Sequence, residues 1–313
     1  MTGVSAASLS ERPPHGGAPT PPERVDDEGW GFLEGDAIAP GRHALRLLGG
    51  GARYEAYLAW DDELHSLVVV KILRPHRVAE RGSREGLAAE ARALDKLQHP
   101  VLVRCFDAVL DEWRPHLVLE FLEGPRLSTL LRKYGPLAME QLVPLALQLC
   151  SALHYMSSRG MLHLDVKPQN IIMGAPPRLI DLSVARTSEE GRRLDHAVGT
   201  DAYMAPEQCR PVASSGVGPE ADVWALGVTL YEAASGPRPF PPAEEEGDWP
   251  QAELEPLPLP ERVPSQLREL IHACLARRPQ DRPTGAELAR AFESLVAALP
   301  RRPVLSRLKP RLR

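Results

Sequence analysis

The stretch His163-Leu164-Asp165-Val166-Lys167-Pro168-Gln169-Asn170, HLDVKPQN, decides how the rest of the chain is read. It gathers a carboxylate, an ammonium group and a primary amide around a proline, which marks a loop rather than a strand or a helix interior. Asp165 can hold or deprotonate a hydroxyl, Lys167 can offset phosphate charge, and Asn170 can offer its amide oxygen to a hard cation. Leu164 stands beside the carboxylate, where a charged neighbour would be expected. Eleven residues after Asn170, Asp181 closes the apolar run Leu179-Ile180 and is followed by Leu182-Ser183, a second carboxylate at a strand end. Asp and Asn in such places are often there for turn chemistry alone. Here several such sites occur in one order along the chain, which argues for a shared site.

Outward from this loop, strands come first and helices later. Alternation over 44–47, 54–58 and 66–70 predicts three strands, with Gly49, Gly50 and Gly51 placed as a hairpin turn would place them. The third strand, VVVK, ends on Lys71. A helix is predicted over 87–97, carrying Glu90 and stopped by His99-Pro100. Two further strands are expected at 101–108 and 116–121. After Gly124 the period turns helical, at 137–156 (with Pro144 as a kink or a boundary), 221–234, 264–275 and 285–298. Segregated strands and helices predict an α+β protein with two lobes rather than an alternating α/β sheet. Residues 1–35, rich in Pro, Gly and Ser, are expected to be a disordered tail; 299–313 form a basic tail, and 237–264 a Pro- and acid-rich loop. Within that loop Glu244, Glu245, Glu246 and Asp248 read as a solvated run before they read as an attractor of basic peptides.

Composition narrows the function classes. The 313 residues carry a net charge of −5, which gives no general attraction to nucleic acid or anionic membrane. The four cysteines lie far apart without a CxxC pair, so neither a zinc site nor a disulfide framework is expected. No apolar leader and no apolar run of roughly 18 residues is present, so a soluble, cytoplasmic protein is expected. Only five of the 37 basic residues are lysine, which draws the eye to Lys71 and Lys167. The Arg- and Pro-rich composition suggests a bacterial, GC-rich source.

With these motifs in place, the chain resembles the eukaryotic-type (Hanks-type) serine/threonine protein kinases over about residues 43 to 297. LGGGARYEAY (48–57) is similar to the family's glycine-rich loop, Lys71 to its strand lysine, and Glu90 to its helix glutamate. LVLEFLEG (117–124) resembles the hinge between lobes, with Leu119 as gatekeeper. HLDVKPQN matches the catalytic loop, DLS (181–183) the DFG motif, GTDAYMAPE (199–207) the substrate platform, and DVWALG (222–227) the segment beyond it. Arg282 in QDRPT matches the arginine that pairs with the APE glutamate, here Glu207.

The resemblance implies a bilobal kinase domain at 36–298, with an N-lobe at about 43–122 and a C-lobe at about 125–298. It implies ATP with Mg²⁺ (or Mn²⁺ in its place) and a protein substrate bearing a Ser or Thr hydroxyl, with the chain itself as one such substrate. No nucleic-acid partner is expected, and oligomeric state is left open. Lys71, held by Glu90, would orient the α- and β-phosphates, and Asp181 and Asn170 would hold the metal. Asp165 would take or orient the hydroxyl proton, and Lys167 would offset charge on the moving phosphoryl group. Leu48, Gly49, Gly50 and Gly51 would cover the nucleotide. Adenine would sit between Ala56 and Val69 above and Ile172 below, bonded to hinge backbone near Glu120 and Leu122. Thr200, Glu207 and Arg282 would build the peptide platform.

Four departures from the pattern stand out. Leu164 replaces an arginine that in the family meets a phosphorylated residue of the activation loop, and leucine cannot pair with phosphate. Ser183 replaces the DFG glycine and is expected to restrict flipping of Asp181. Tyr54 stands at the third loop glycine, so looser closure of the loop tip is expected. Ala56 and Val69 exchange the usual sizes in the adenine roof, which predicts a pocket of ordinary volume. No lysine, metal ligand or candidate base is missing, so an active kinase not switched by loop phosphorylation is the leading expectation. The alternatives are a pseudokinase that binds nucleotide or a partner and signals by shape, and a small-molecule phosphotransferase, which the complete GTDAYMAPE disfavours.

Overall fold

The computed structural model describes residues 29–213, 216–245 and 247–299. The expected N-terminal tail lies outside the described residues up to residue 28, and the basic tail from residue 300 onward.

The chain begins with a mainly antiparallel sheet: β1 (Ala37–Ala39), β2 (Arg42–Gly50), β3 (Tyr54–Asp61) and β4 (Ser66–Leu73). Helix α1 (Arg81–Lys96) follows, then β5 (Cys105–Val109) and β6 (His116–Glu120). The sheet order is β1-β2-β3-β4-β6-β5. Register fixes which side chains share a face. Ala56 lies opposite Lys71, Leu58 opposite Val69, and Leu119 opposite Val69 on the other side. These residues therefore share the inner face. Tyr57, Ala59, Val68, Val70 and Ile72 point to the outer face, where they form a second core with Ile38, Ala44 and Val118.

That outer core corrects the expected extent of the tail. Trp30 and Phe32 pack onto it, and the Trp30 indole Nε1 donates to the Leu73 carbonyl at 2.7 Å. Two aromatics in a run otherwise rich in glycine gain more from covering an apolar sheet face than from solvation.

The larger lobe is helical: α2 (Leu127–Tyr134), α3 (Met139–Ser158), α4 (Ser188–Arg192), α5 (Pro206–Cys209), α6 (Glu220–Ser235), α7 (Pro250–Glu253), α8 (Ser265–Cys274) and α9 (Gly285–Ala298). Short pairs β7 (Met161–Leu162) with β10 (Arg186–Thr187), and β8 (Ile171–Ile172) with β9 (Arg178–Leu179), carry the loops between them. Helix α6 is buried almost all round, with Trp224, Leu226, Val228 and Leu230 inside. Helix α3 runs through Pro144 without ending, so that position is neither a boundary nor a stop. The strand expected over 101–108 is shorter, because 101–104 turn to meet Leu179 and only β5 joins the sheet. One continuous core links Leu73 and Leu94 above with Leu179, Leu182 and α6 below, so the two lobes meet across an apolar joint. No helix among the described residues is long and apolar enough to cross a membrane.

Candidate active site

The site begins with a buried ion pair in the sheet-bearing lobe. Glu90 shares one stripe of α1 with Leu87 and Leu94, so packing that stripe against the sheet buries the carboxylate. Lys71 is buried in β4, which runs two residues past it to Leu73 rather than ending there as expected, and it donates to both Glu90 oxygens at 2.7 Å and to Asp181 Oδ1 at 2.8 Å. A buried charge is tolerated only when paired. Burial works against the charge on Lys71, yet Glu90 and then Asp181 outweigh it and hold the ammonium above its ordinary pKa. Burial likewise raises the Asp181 carboxyl, but Lys71 and the Ser183 hydroxyl and amide overcome this and hold it well below the carboxylate range. Asp181 adopts φ +68°, a left-handed conformation that Asp tolerates better than most residues. Ser183 is not among the positive-φ residues, so the glycine's freedom is not required at that position in this conformation. Leu182 fills an apolar slot of the core.

The catalytic-type loop forms a second cluster. Asp165 Oδ1 accepts from the Thr200 hydroxyl at 2.6 Å, and Oδ2 lies 2.7 Å from the Lys167 ammonium. Lys167 also donates to Thr200 Oγ1 at 2.5 Å. The Asn170 amide nitrogen donates to the Asp165 carbonyl and to Oδ2, both at 2.9 Å, which leaves the amide oxygen uncommitted. Asp165 thus meets Lys167, Asn170 and also Thr200, a residue expected in the peptide platform rather than in this set.

The loop is held from below by Asp222, at the start of α6. Its fully buried carboxylate accepts from the backbone amides of His163 and Leu164, each at 2.7 Å. Burial pushes the Asp222 carboxyl up, and His163 and the two amides oppose that. This grip accompanies a strained backbone, since Leu164 has φ +62°, which costs a bulky residue about 1–2 kcal/mol.

The residues of the expected adenine site divide between the sheet and β8. Ala56, Val69 and Leu119 share the inner sheet face, and Ile172 lies across the cleft in β8. Glu120 turns its carboxylate away into a two-pronged pair with Arg178, at 3.0 and 3.1 Å, while its amide donates to the Arg104 carbonyl. Glu120 thus has its backbone carbonyl, not its side chain, to offer a ligand. At the loop, strand β2 continues through Gly50 and the turn falls at 51–53, two residues later than expected. Leu48 is partly exposed at the cleft's edge.

Asn170 and Asp181 present oxygen donors of the kind Mg²⁺ takes when phosphates supply the remaining ligands, so the donor set fits that ion. No cluster of three or more His, Cys, Asp or Glu suited to a metal occurs among the described residues.

A protein kinase domain model matches residues 42–292. The chain belongs to the protein kinase family. It is 35% identical to serine/threonine-protein kinase Pkn1 of Myxococcus xanthus, an alignment covering 76% of this chain and 36% of that protein. It is 30% identical to PknB of Mycobacterium leprae, over 77% of this chain and 41% of the relative. It is 33% identical to the DNA damage-responsive kinase RqkA of Deinococcus radiodurans, over 82% and 39%. The chain therefore spans only about a third to two fifths of these relatives' length.

In this kinase domain the segment 181–207 is docked through strand pairing, a helix cap and a buried amide. β10 pairs with β7, and Thr187 caps α4 in a reciprocal box: its hydroxyl accepts from the Glu190 amide at 3.2 Å, and Glu190 Oε2 accepts from the Thr187 amide at 2.7 Å. The Leu164 side chain is 2% exposed and part of the main core. Its carbonyl accepts from Gln208 Nε2 at 3.2 Å; the same amide donates to the Val198 carbonyl at 2.9 Å and accepts from the Ala205 amide at 3.1 Å. Gly199 packs against the Leu164 carbonyl so closely that a Cβ there would stand 2.6 Å from it, and its φ of +129° suits glycine.

Glu207 and Arg282 form a buried ion pair. Their carboxylate and guanidinium meet at 2.6 and 2.9 Å, both buried, and the guanidinium also donates to the carbonyls of Ala276 and Glu220. Sequence reasoning named neither Asp222 nor Gln208 as a support. The DVWALG motif contained the first. For the second, a glutamine directly after APE gave no signal, because nothing in its spacing shows that its amide will be buried.

Proposed function

We propose that this chain is a serine/threonine protein kinase that transfers the γ-phosphoryl group of Mg-ATP to a protein Ser or Thr hydroxyl, with an activation segment set without phosphorylation. The observation that carries the catalytic reading is the Lys71–Glu90–Asp181 triad standing in one cleft with the Asp165–Lys167–Asn170–Thr200 cluster. The relatives' names support the substrate class. The second half of the reading rests on Leu164 and Gln208, which join the segment to the loop where the family pattern has a phosphate-reading arginine.

The chemistry assigned to the chain's own residues is positioning and electrostatics. Lys71 holds the non-transferred phosphates. Asp165 faces the incoming hydroxyl and takes its proton as the oxygen bonds phosphorus and the bond to the β-phosphate oxygen breaks, releasing ADP. Lys167 offsets charge on the moving group, and Thr200 fixes both Asp165 and Lys167. Mg²⁺, held by Asn170 and Asp181 and exchangeable for Mn²⁺, neutralises phosphate charge when bound. Autophosphorylation is part of this proposal.

A pseudokinase reading draws on one observation. The Tyr54 ring stands over the Lys71 ammonium, 4.7 Å from its centroid, and all three Lys71 donors are already committed. Phosphate binding must then displace Asp181 from Lys71. Purified protein with labelled ATP and a generic protein substrate decides between the two. The kinase reading expects labelled product that disappears in Asp165→Asn; ATP binding without turnover in Mg²⁺ and Mn²⁺ would favour the pseudokinase.

A further inference from the structure

We propose that Glu55 is a positioning residue for the nucleotide, acting through a relay that runs from the N-terminal strap at residues 29–32, through Glu55 and Arg74, to the carbonyl of Gly51 in the glycine-rich loop. The proposal rests on the reading of that loop as the phosphate cover.

Glu55 points to the outer face of the sheet, away from the cleft, and is 4% exposed. A carboxylate among Tyr57, Val70 and Ile72 is costly unless paired, and an apolar side chain would complete that face more simply. Its partners come from three segments. The Trp30 amide donates to Oε2 at 3.1 Å, the Tyr57 hydroxyl to Oε2 at 3.0 Å, and Arg74 Nη1 to Oε1 at 3.2 Å.

Arg74 passes the constraint on. Its Nε donates to the Gly51 carbonyl at 2.7 Å and its backbone amide to the Arg53 carbonyl at 2.9 Å. Gly50 makes room for this: a Cβ there would stand 2.7 Å from the Tyr54 carbonyl and 3.4 Å from Arg74 Nη2. The strap end is equally fixed. Trp30 donates its indole N–H to Leu73, stacks on Phe32 at 5.8 Å, and lies 5.0 Å from the Arg114 guanidinium. The loop tip, closed by the Gly51 amide on the Tyr54 carbonyl at 2.9 Å, is thus held from behind by residues that never face the cleft. Holding a binding loop in its bound shape raises affinity by removing the cost of ordering it. The relay does this work in a loop where Tyr54 has replaced a glycine.

The test uses the full chain and reads Mg-ATP affinity by calorimetric titration, alongside KM and kcat. Glu55→Gln keeps the shape but loses the charge-assisted bond, and Trp30→Ala removes the strap anchor. Each is expected to raise the Kd and KM for ATP about tenfold, the scale of one lost charge-assisted bond, with kcat at saturating ATP changed less than about twofold. The double variant should fall short of the product of the two effects, because both act through one relay. Arg74→Gln, which breaks the relay at its middle by removing both the Glu55 and the Gly51 contacts, reports the same shift if Glu55→Gln fails to fold. Lowered melting temperatures with unchanged ATP affinity across the variants, or fully multiplicative effects, would overturn the proposal. Titration reads binding without turnover, so wild-type protein that binds ATP but transfers no phosphate would sink the kinase reading while still testing the relay.

Discussion

The two ends of one loop are fastened by opposite chemistry. From Asp165 to Asn170, side chains are held by charges and charge-assisted bonds to Thr200 and to one another. At Leu164, one residue earlier, the fastening is an apolar side chain in the core, a backbone carbonyl on a neutral amide, and a glycine pressed against it. Charge is spent where phosphate is to be handled. At Leu164, where the family pattern has a switching cation, the side chain is uncharged, and the Asp222 carboxylate meets its backbone amide instead. A contact made of packing and a neutral amide offers no charge for a phosphate to meet, in keeping with the proposed segment set without phosphorylation.

That contrast can be broken at several points. The largest expected effects lie on the charged side. Lys71→Met and Asp165→Asn should each lower kcat by about 10²- to 10⁴-fold in a γ-phosphate transfer assay, with Asp165→Asn folding normally. Next comes the support beneath both halves. Asp222→Ala orphans two buried amides and should lower stability by about 2–4 kcal/mol in urea denaturation. On the neutral side, Gln208→Leu strips three bonds from the segment and should cost about 1–3 kcal/mol, seen first as faster proteolytic cutting between residues 183 and 199.

A pH experiment sharpens the charged side. Asp181 has its folded pKa depressed by Lys71, so the stability it contributes is present above its unfolded pKa and lost as pH falls through the folded value. Lys71 is raised, so its contribution holds below its unfolded pKa and fades only in strong alkali. In Lys71→Met the carboxylates of Glu90 and Asp181 lose their partner at neutral pH and recover by protonation in acid. The melting-temperature gap between wild type and Lys71→Met should therefore narrow as pH falls from about 7 to about 3. A gap that widens would mean the triad is not the charged assembly described.

Much of this was legible in the sequence because motif residues carry their chemistry locally. Lys71 meets Glu90 and Asp181, and Glu207 meets Arg282, contacts whose residue types could be read from the motifs alone. The unanticipated parts are long-range and chemically plain. Trp30 and Phe32 looked like part of a tail because a glycine-rich setting hides aromatics whose partner, the outer sheet face, exists only after β3 and β4 pair. Gln208 is an unremarkable polar residue until burial makes its amide a three-way tie. Leu164 was visible as a missing cation, but its strained φ and its place in the core depend on Asp222, 58 residues away.

The smallest expected effect bears on the claim most directly. Of the three hydroxyls between Asp181 and Gly199, Thr187 already serves as a helix cap, and its loss should cost about 1 kcal/mol of local stability. The deciding measurement is the specific activity of phosphatase-treated wild type beside the Thr187→Ala, Ser188→Ala double variant, with phosphate content read by mass spectrometry. Activity within about twofold of the untreated protein in both samples is the predicted result. Loss of most activity on dephosphorylation, restored when phosphate returns to Thr187 or Ser188, would contradict an activation segment set by the fold alone.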